Sequence, residues 1–367
     1  MPLDLKAHLK ALCQAHGPSA YEGEVRALLR EAWAPYTDEM QVNPMGSLMA
    51  LKRGEGPETR RRLMVTAHMD EIAMMVSRIQ DGYLQARSMS GVDARILQAK
   101  PVLVHGRELL RGVFAAVPPH ISRHSGDKGK NHYPALEEQW IDLGLPAEEV
   151  AAKVQVGDVI TLDEPAVDLK GDLITAKALD NRASLAALTY TLELLQKRRH
   201  DWDIYFVATT QEEKTQVGAR TATYALNPDL AIVLDVAFAK QPGVNGDSDL
   251  APGKGFTIGL GPNFRPQLAK RLTETAKALE LPHGQEVLAG VSGTEAWPMQ
   301  IMGRGLPVAL MSLPIRNMHT GAETMNLLDI KRAGRLLAEF ISQLDGQTLD
   351  DLAWDLTATT KKDEDED

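Results

Sequence analysis

Two histidines and a set of carboxylates stand where apolar runs of the chain end: His68, Asp180, Glu212 with Glu213, Asp235 and His319. In open α/β sheets, ligands gather at the carboxyl ends of strands. That place would here collect imidazoles and carboxylates from segments far apart in sequence. Imidazole with carboxylate, and without thiolate, suits zinc, cobalt or manganese. His68 lies in VTAHMDE, with Asp70 two residues on. In an extended chain both side chains project to the same side. A carboxylate there can accept the second imidazole N–H and leave the other nitrogen for a metal. Taken alone, however, His-x-Asp reads better as a buried histidine satisfied by its neighbour.

The other positions are also weak singly. Asp180, in AKALDNRAS, directly precedes a helical pattern, so by itself it reads as an N-cap. Its functional role would be one carboxylate oxygen on each of two metals. Glu212-Glu213, in TTQEEKTQ, reads by itself as a solvated acidic pair. If extended, the two side chains point different ways, one to a metal and one to a water as general base. Asp235 ends the run AIVLD, and a carboxylate at the end of a buried strand is costly unless paired or metal-bound. His319 follows another apolar run and reads alone as a loop histidine. Jointly they form a nearly complete ligand set. One shared carboxylate plus two ligands for each metal would hold two ions about 3.5–4 Å apart.

The elements that must position these groups change character along the chain. Residues 4–14 and 22–33 have helical spacing, and Arg62–Ala67 reads as a buried strand ending at His68. From about Glu71 to Pro165 the apolar runs are short and broken by glycine, which predicts a β-rich unit of hairpins with a short helix at 142–152. Within it, residues 120–132 read as an exposed, mobile loop. After Gly171, strands and helices alternate. Expected strands are Leu173–Ala176, Ile204–Thr209, Leu230–Leu234, Phe256–Leu260 and Pro307–Ser312; expected helices are Ala183–Gln196, Pro266–Leu279 and Leu327–Leu344. Alternation of this kind predicts an α/β fold: a sheet covered by helices, interrupted by a small β-barrel-like insertion. The expected divisions are 1–70 and 166–356 for the catalytic domain, 71–165 for the insertion, and 357–367 for a disordered acidic tail.

Composition bounds the function. The 367 residues carry 40 Lys plus Arg against 50 Asp plus Glu, a formal charge of -10. Nucleic-acid backbones are bound by clustered cations, so this balance argues against such a partner. One cysteine excludes an internal disulfide, and no run approaches a membrane span. No membrane is expected, and the cytoplasm is the expected location.

The residues above resemble the tetrahedral aminopeptidases and glutamyl aminopeptidases, co-catalytic metallopeptidases sometimes labelled endoglucanases. The matching stretches are GPSAYEGEV, VTAHMDEIAMMV, WIDLGLPAEEV, VGDVIT, AKALDNRAS, TTQEE with VGAR, IVLDV, SGTEA and RGLPVALMSLPIRNMHTGAE. The resemblance implies that His68 and Asp235 hold one metal, that Glu213 and His319 hold the other, and that Asp180 bridges them. It implies Glu212 as general base and Asp70 as the group orienting His68. It also implies two divalent ions, zinc first, with cobalt or manganese as alternatives. Peptides with a free N-terminus are the implied substrates. A homo-oligomer, as large as a hollow dodecamer, is the implied assembly. The chain departs from the family pattern at Asn181, where a second Asp is usual, and at Glu295, where Asp is usual. Lys214-Thr215-Gln216 intervenes between the Glu pair and Val-Gly, and Thr320-Gly321 follows His319 in place of Ser-Pro.

The expected activity is therefore removal of N-terminal residues through a metal-bound water and the Glu212 base. Two alternatives stand beside it: a catalytically weak or inactive metal-stabilised assembly protein of the same fold, and a β-glycanase. A glycanase needs two carboxyls flanking a sugar and no metal.

Overall fold

The structure is a computed structural model describing residues 2–57, 60–116, 134–244 and 250–353. The loop expected at 120–132 and the tail at 357–367 lie outside the described residues. At its centre is an eight-stranded mixed sheet. Across it run Glu39–Val42, Leu48–Lys52, Asp203–Thr209, Arg62–His68, Leu230–Phe238, Val308–Ile315, Phe256–Leu260 and His283–Val287. The strands at 203–209, 62–68, 230–238 and 308–315 are mutually parallel. Such strands are buried on both faces and read as continuous apolar runs, as LMVTA, AIVL and VALMSL do.

Strand alternation sends side chains to two cores. Leu63, Val65 and Ala67 face the helices Leu5–Gln14, Gly23–Trp33, Leu179–Leu195, Pro266–Ala278 and Leu327–Ser342. Met64, Val207, Ala231 and Val233 face the helices Val217–Leu226 and Ala296–Gln300. The helix 179–195 is buried almost all round, and Thr189 and Thr191 within it return their hydroxyls to Leu185 O and Ala187 O.

Some expectations need correction. Leu173–Ala176 is a strand, but it belongs to a separate three-stranded sheet with Val167–Asp168 and Glu323–Asn326. The strand expected to stop at Leu234 runs on to Phe238, because its pairing with the strand at 308–315 continues to Phe238 opposite Ile315. Asp235 therefore sits inside a strand. The helix Val217–Leu226 carries too few long apolar residues for its spacing to have marked it. Its Gly218 lies against the backbone of Thr210, where an added Cβ would come within 2.3 Å of the carbonyl oxygen.

The insertion is a closed antiparallel barrel of six strands: Met74–Gln80, Tyr83–Ser88, Pro101–His105, Leu109–Phe114, Ile141–Asp142 and Val159–Leu162. Met74, Val76, Leu84, Val102, Val104, Phe114 and Ile160 fill it. The short helix expected at 142–152 is Ala147–Lys153.

A buried ionic network anchors the chain where it leaves the strand 62–68 for the barrel. Glu71 accepts Lys177 Nζ at 2.7 and 3.0 Å and the Gly17 amide at 3.0 Å. Fully buried Arg182 stands 3.8 Å from Glu71 and donates to Leu12 O at 2.7 Å. Burial works to raise the Glu71 pKa, but the charges of Lys177 and Arg182 carry it below its ordinary value. Removing one partner leaves buried charges uncompensated. Glu71→Leu is expected to lower the unfolding free energy by about 3–5 kcal/mol. Denaturant titration checks this; a loss within error would show that the network is dispensable.

Candidate metal centre

Adjacent parallel strands deliver most of the site from their carboxyl ends. His68 ends its strand opposite Thr209. Asp235 lies opposite Ser312, beyond the point where pairing with the strand at 62–68 stops at Val233. Glu212 and Glu213 follow the strand 203–209 and open a one-turn helix, Glu212–Thr215. They diverge around that turn and not by the strand alternation expected. His319 follows the strand 308–315, with φ +60.

Asp180 comes from the opposite direction, at the entry of the helix 179–195. Ala178 has φ +57, and Asp180 and Asn181 are non-helical. The Asp180 side chain does not cap this helix. It turns to the two histidines instead. His68 Nε2 lies 3.1 Å from Asp180 Oδ1, and His319 Nε2 lies 3.3 Å from Asp180 Oδ2. His319 Nε2 is also 3.3 Å from Glu213 Oε1, and His68 Nε2 is 3.8 Å from Asp235 Oδ1.

Two donor groups result. His68, Asp180 and Asp235 form one; Asp180, Glu213 and His319 form the other, with the ligand atoms of each group within 4.8 Å of one another. Each set is nitrogen and oxygen only, and Asp180 contributes a separate oxygen to each. This chemistry fits two borderline divalent cations sharing one carboxylate.

The electrostatics point the same way. Burial raises the carboxyl pKa of Asp235 well above its ordinary value and that of Glu213 upward. Burial opposes charge on His319, but Asp180 and Glu213 outweigh it and hold its pKa up at about 11. His68 is likewise raised: burial lowers it, while Asp180 and Asp70 prevail. For Asp180, burial is outweighed by the two imidazoles, which keep its pKa below the usual carboxylate range. Carboxylates crowded out of water in this way favour whatever positive charge can enter.

Glu212 stands apart from both donor groups. Its Oε2 is 3.9 Å from His68 Nε2, and burial pushes its pKa to about 8. Asp70 meets His68 differently from expectation. Its backbone carbonyl is 3.1 Å from His68 Nδ1, and its carboxylate is 3.4 Å away. That carboxylate accepts the amides of Glu212 and Glu213, at 2.9 and 3.1 Å, and the hydroxyl of Ser19 at 2.6 Å. Asp70 thus ties the histidine strand to the Glu-Glu turn.

Glu323 escapes the sequence reading, while Glu295 and Asn181, noted there only as departures, gain structural partners. Buried Glu323 accepts the Asp180 amide at 3.0 Å and the His319 amide at 2.8 Å. The only sequence signal for it was a glutamate four residues after His319. Glu295, buried behind the site, accepts the hydroxyls of Thr66 and Thr209, and burial lifts its pKa to about 7. Asn181, standing where a second Asp was expected, donates to Leu234 O at 2.9 Å.

The donor groups open into a cavity of about 620 Å³, whose wall includes Lys214, Gln216, Arg220, Phe238 and Leu288. A larger cavity of about 720 Å³ lies beside His16, Arg111 and Lys177. There Lys177 is tied to Glu71, and His16 and His105 both meet Thr161 Oγ1. The smaller cavity is the one that both donor groups face.

Residues 46–336 match the M42 glutamyl aminopeptidase family. A lysyl aminopeptidase from Pyrococcus furiosus is 32% identical over 92% of this chain and 96% of its own. The TET aminopeptidase from a marine sediment Thaumarchaeota archaeon superposes with a TM-score of 0.88 at 29% identity, over 96% of this chain and all of the other. The Pyrococcus horikoshii TET1 peptidase, described as assembling into a tetrahedron or a large octahedral shell, gives 0.80 at 25% identity, over 93% of this chain and 100% of the other. With the sheet, the barrel and the paired donor groups in place, these likenesses identify the chain as a member of the M42 glutamyl aminopeptidase family and a peptide hydrolase.

Proposed function

We propose that this chain is a dinuclear aminopeptidase that releases N-terminal residues from peptides, with Glu212 as its general base. The observation that carries the reading is Asp180, whose two oxygens face two different donor groups. His68 and Asp235 would hold one ion, Glu213 and His319 the second, and Asp180 both; zinc suits the set best, with cobalt or manganese as alternatives. Bound, the ions supply Lewis acidity that makes a water acidic at neutral pH and draws charge from a carbonyl. Glu212 receives the proton at Oε2, the oxygen on the His68 side, and returns it to the leaving amine nitrogen. Asp70 holds the Glu212 and Glu213 amides, so base and ligand move as one unit. The carboxylates of the cavity favour a free α-amine, which makes the enzyme an exopeptidase. The reading includes a cytoplasmic setting, in keeping with a single, buried cysteine.

Glu212→Gln keeps the shape of the side chain and removes its basicity. Hydrolysis of unblocked short peptides by the zinc-loaded variant should fall about 10²–10⁴-fold, with zinc content unchanged. Undiminished turnover with zinc retained would show that another group is the base. A loaded wild-type chain that cleaves nothing in a broad panel would return the assembly-protein reading.

Metal uptake should displace protons. His68 and His319 are both held protonated above their ordinary range, and burial leaves Asp235 inclined to keep a proton. Zinc titrations at pH 7 should therefore give heats that vary with the ionisation enthalpy of the buffer, and affinity should fall as pH falls. Heats independent of the buffer would contradict the assigned ligands.

We also infer a closed homo-oligomer, as large as a dodecamer. Light scattering should then give a particle of twelve times the 40.2 kDa chain. A monomer at micromolar concentration would exclude it.

A further inference from the structure

The segment Lys214-Thr215-Gln216, which sets this chain apart from the family pattern, reaches back to the centre. Gln216 Nε2 donates to Glu212 Oε1 at 2.9 Å. The other carboxylate oxygen, Oε2, is the one 3.9 Å from His68 Nε2. The amide therefore fixes which oxygen of Glu212 faces the donor groups.

The contact differs from an ordinary exposed pair one turn apart on a helix. Glu212 is buried, and Gln216 is half-buried in the wall of the same cavity. Both backbones are pinned independently. The Glu212 amide is held by Asp70 Oδ1 at 2.9 Å. The Gln216 amide donates to Gln211 O at 2.8 Å, with Gln216 in the left-handed region at φ +54. Gln211 is itself left-handed, at φ +57, and its amide donates to buried Glu22 at 3.1 Å. Two glutamines thus bracket the one-turn helix, and the second turns its side chain inward.

A carboxylate that must collect a proton from one direction and deliver it to another gains from a fixed plane, because misplacing a reacting group by about 1 Å can cost ~10²-fold in rate. A neutral amide can fix that plane without entering the ligand set. We propose that Gln216 is a positioning residue for Glu212, orienting its carboxylate so that Oε2 faces the reacting centre. This rests on the reading of Glu212 as the base.

The test uses the full-length, zinc-loaded chain. Gln216→Met keeps the length of the side chain and removes the donor; Gln216→Ala serves as the second variant should Met disturb folding. Both should lower kcat about tenfold on an unblocked short peptide, leave KM within about twofold, and leave zinc affinity by chelator competition unchanged. In a Glu212→Gln background the same changes should have no further effect. Three results would overturn the proposal: kcat retained within twofold, a loss that tracks zinc loss or a matching rise in KM, or an undiminished effect on top of Glu212→Gln. The two assignments fail separately. Loss in Glu212→Gln with none in either Gln216 variant removes only the role of Gln216, whereas full activity in Glu212→Gln removes the base and this proposal together.

Discussion

An excess of buried negative charge at the carboxyl edge of the sheet is the constraint to which the rest of the structure answers. Asp70, Asp180, Glu212, Asp235, Glu295 and Glu323 are all buried there, with Glu213 beside them and, among the described residues, only His68 and His319 as imidazole partners. Taking a carboxylate out of water costs several kcal/mol unless hydrogen bonds or opposite charge offset it. The structure divides the group accordingly. Asp70, Glu295 and Glu323 are turned chiefly to neutral donors, backbone amides and the hydroxyls of Ser19, Thr66 and Thr209, with one Asp70 oxygen also 3.4 Å from His68 Nδ1. Asp180, Glu213 and Asp235 keep oxygens toward the imidazoles. The outward-held carboxylates position backbone; the inward-held ones are left for cations.

This division explains why the sheet is built as it is. Four adjacent parallel strands end on one side, so groups distant in sequence arrive together without a long loop to carry them. The groups that stand on turns, and the one at the helix entry, are then fixed by buried acids from other elements. Asp70 holds the turn after the strand 203–209, and Glu323 holds the amides of Asp180 and His319. Glu71, adjacent to Asp70, is clamped by Lys177 just before the Asp180 turn. Neighbours in sequence thus serve neighbouring sides of the same centre.

Much of this was legible in the residues. The strand ending at His68, the alternation after Gly171 and the glycine-broken barrel all follow from hydrophobic spacing. The candidate ligands were legible because acids at the ends of apolar runs are costly and need a reason. What spacing could not supply was direction. His68 and Asp70 were expected to meet through the Asp70 carboxylate, but the nearer contact is its carbonyl. The strands at 39–42 and 283–287 carry little continuous apolar pattern, since they are the two edges of the sheet, whereas 48–52 does carry an apolar run, LMAL, that is only four residues long. Glu323 and Gln216 act on partners chosen by left-handed or irregular backbone at Ala178, Gln216 and His319. Non-glycine residues enter that region where tertiary contacts impose it, so local propensity does not announce it.

The barrel bears on the centre more directly than an appended platform would. Gly91, in the loop after the barrel strand 83–88, has φ +41 and lies against the ring of His319. A Cβ at that position would stand 2.6 Å from His319 Nδ1 and 3.0 Å from the side chain of Ile72. The ring is therefore backed by the insertion on one side and faces Asp180 and Glu213 on the other. His319 is only half-buried and sits on a loop, so its own element does little to fix it. Its orientation comes from two bodies at once: Glu323, which holds its amide, and the barrel loop, which stops its ring. A change in how the barrel seats on the sheet would reach His319 before the other predicted ligands, because the rest are carried by strands, by the helix entry or by the turn tied to Asp70.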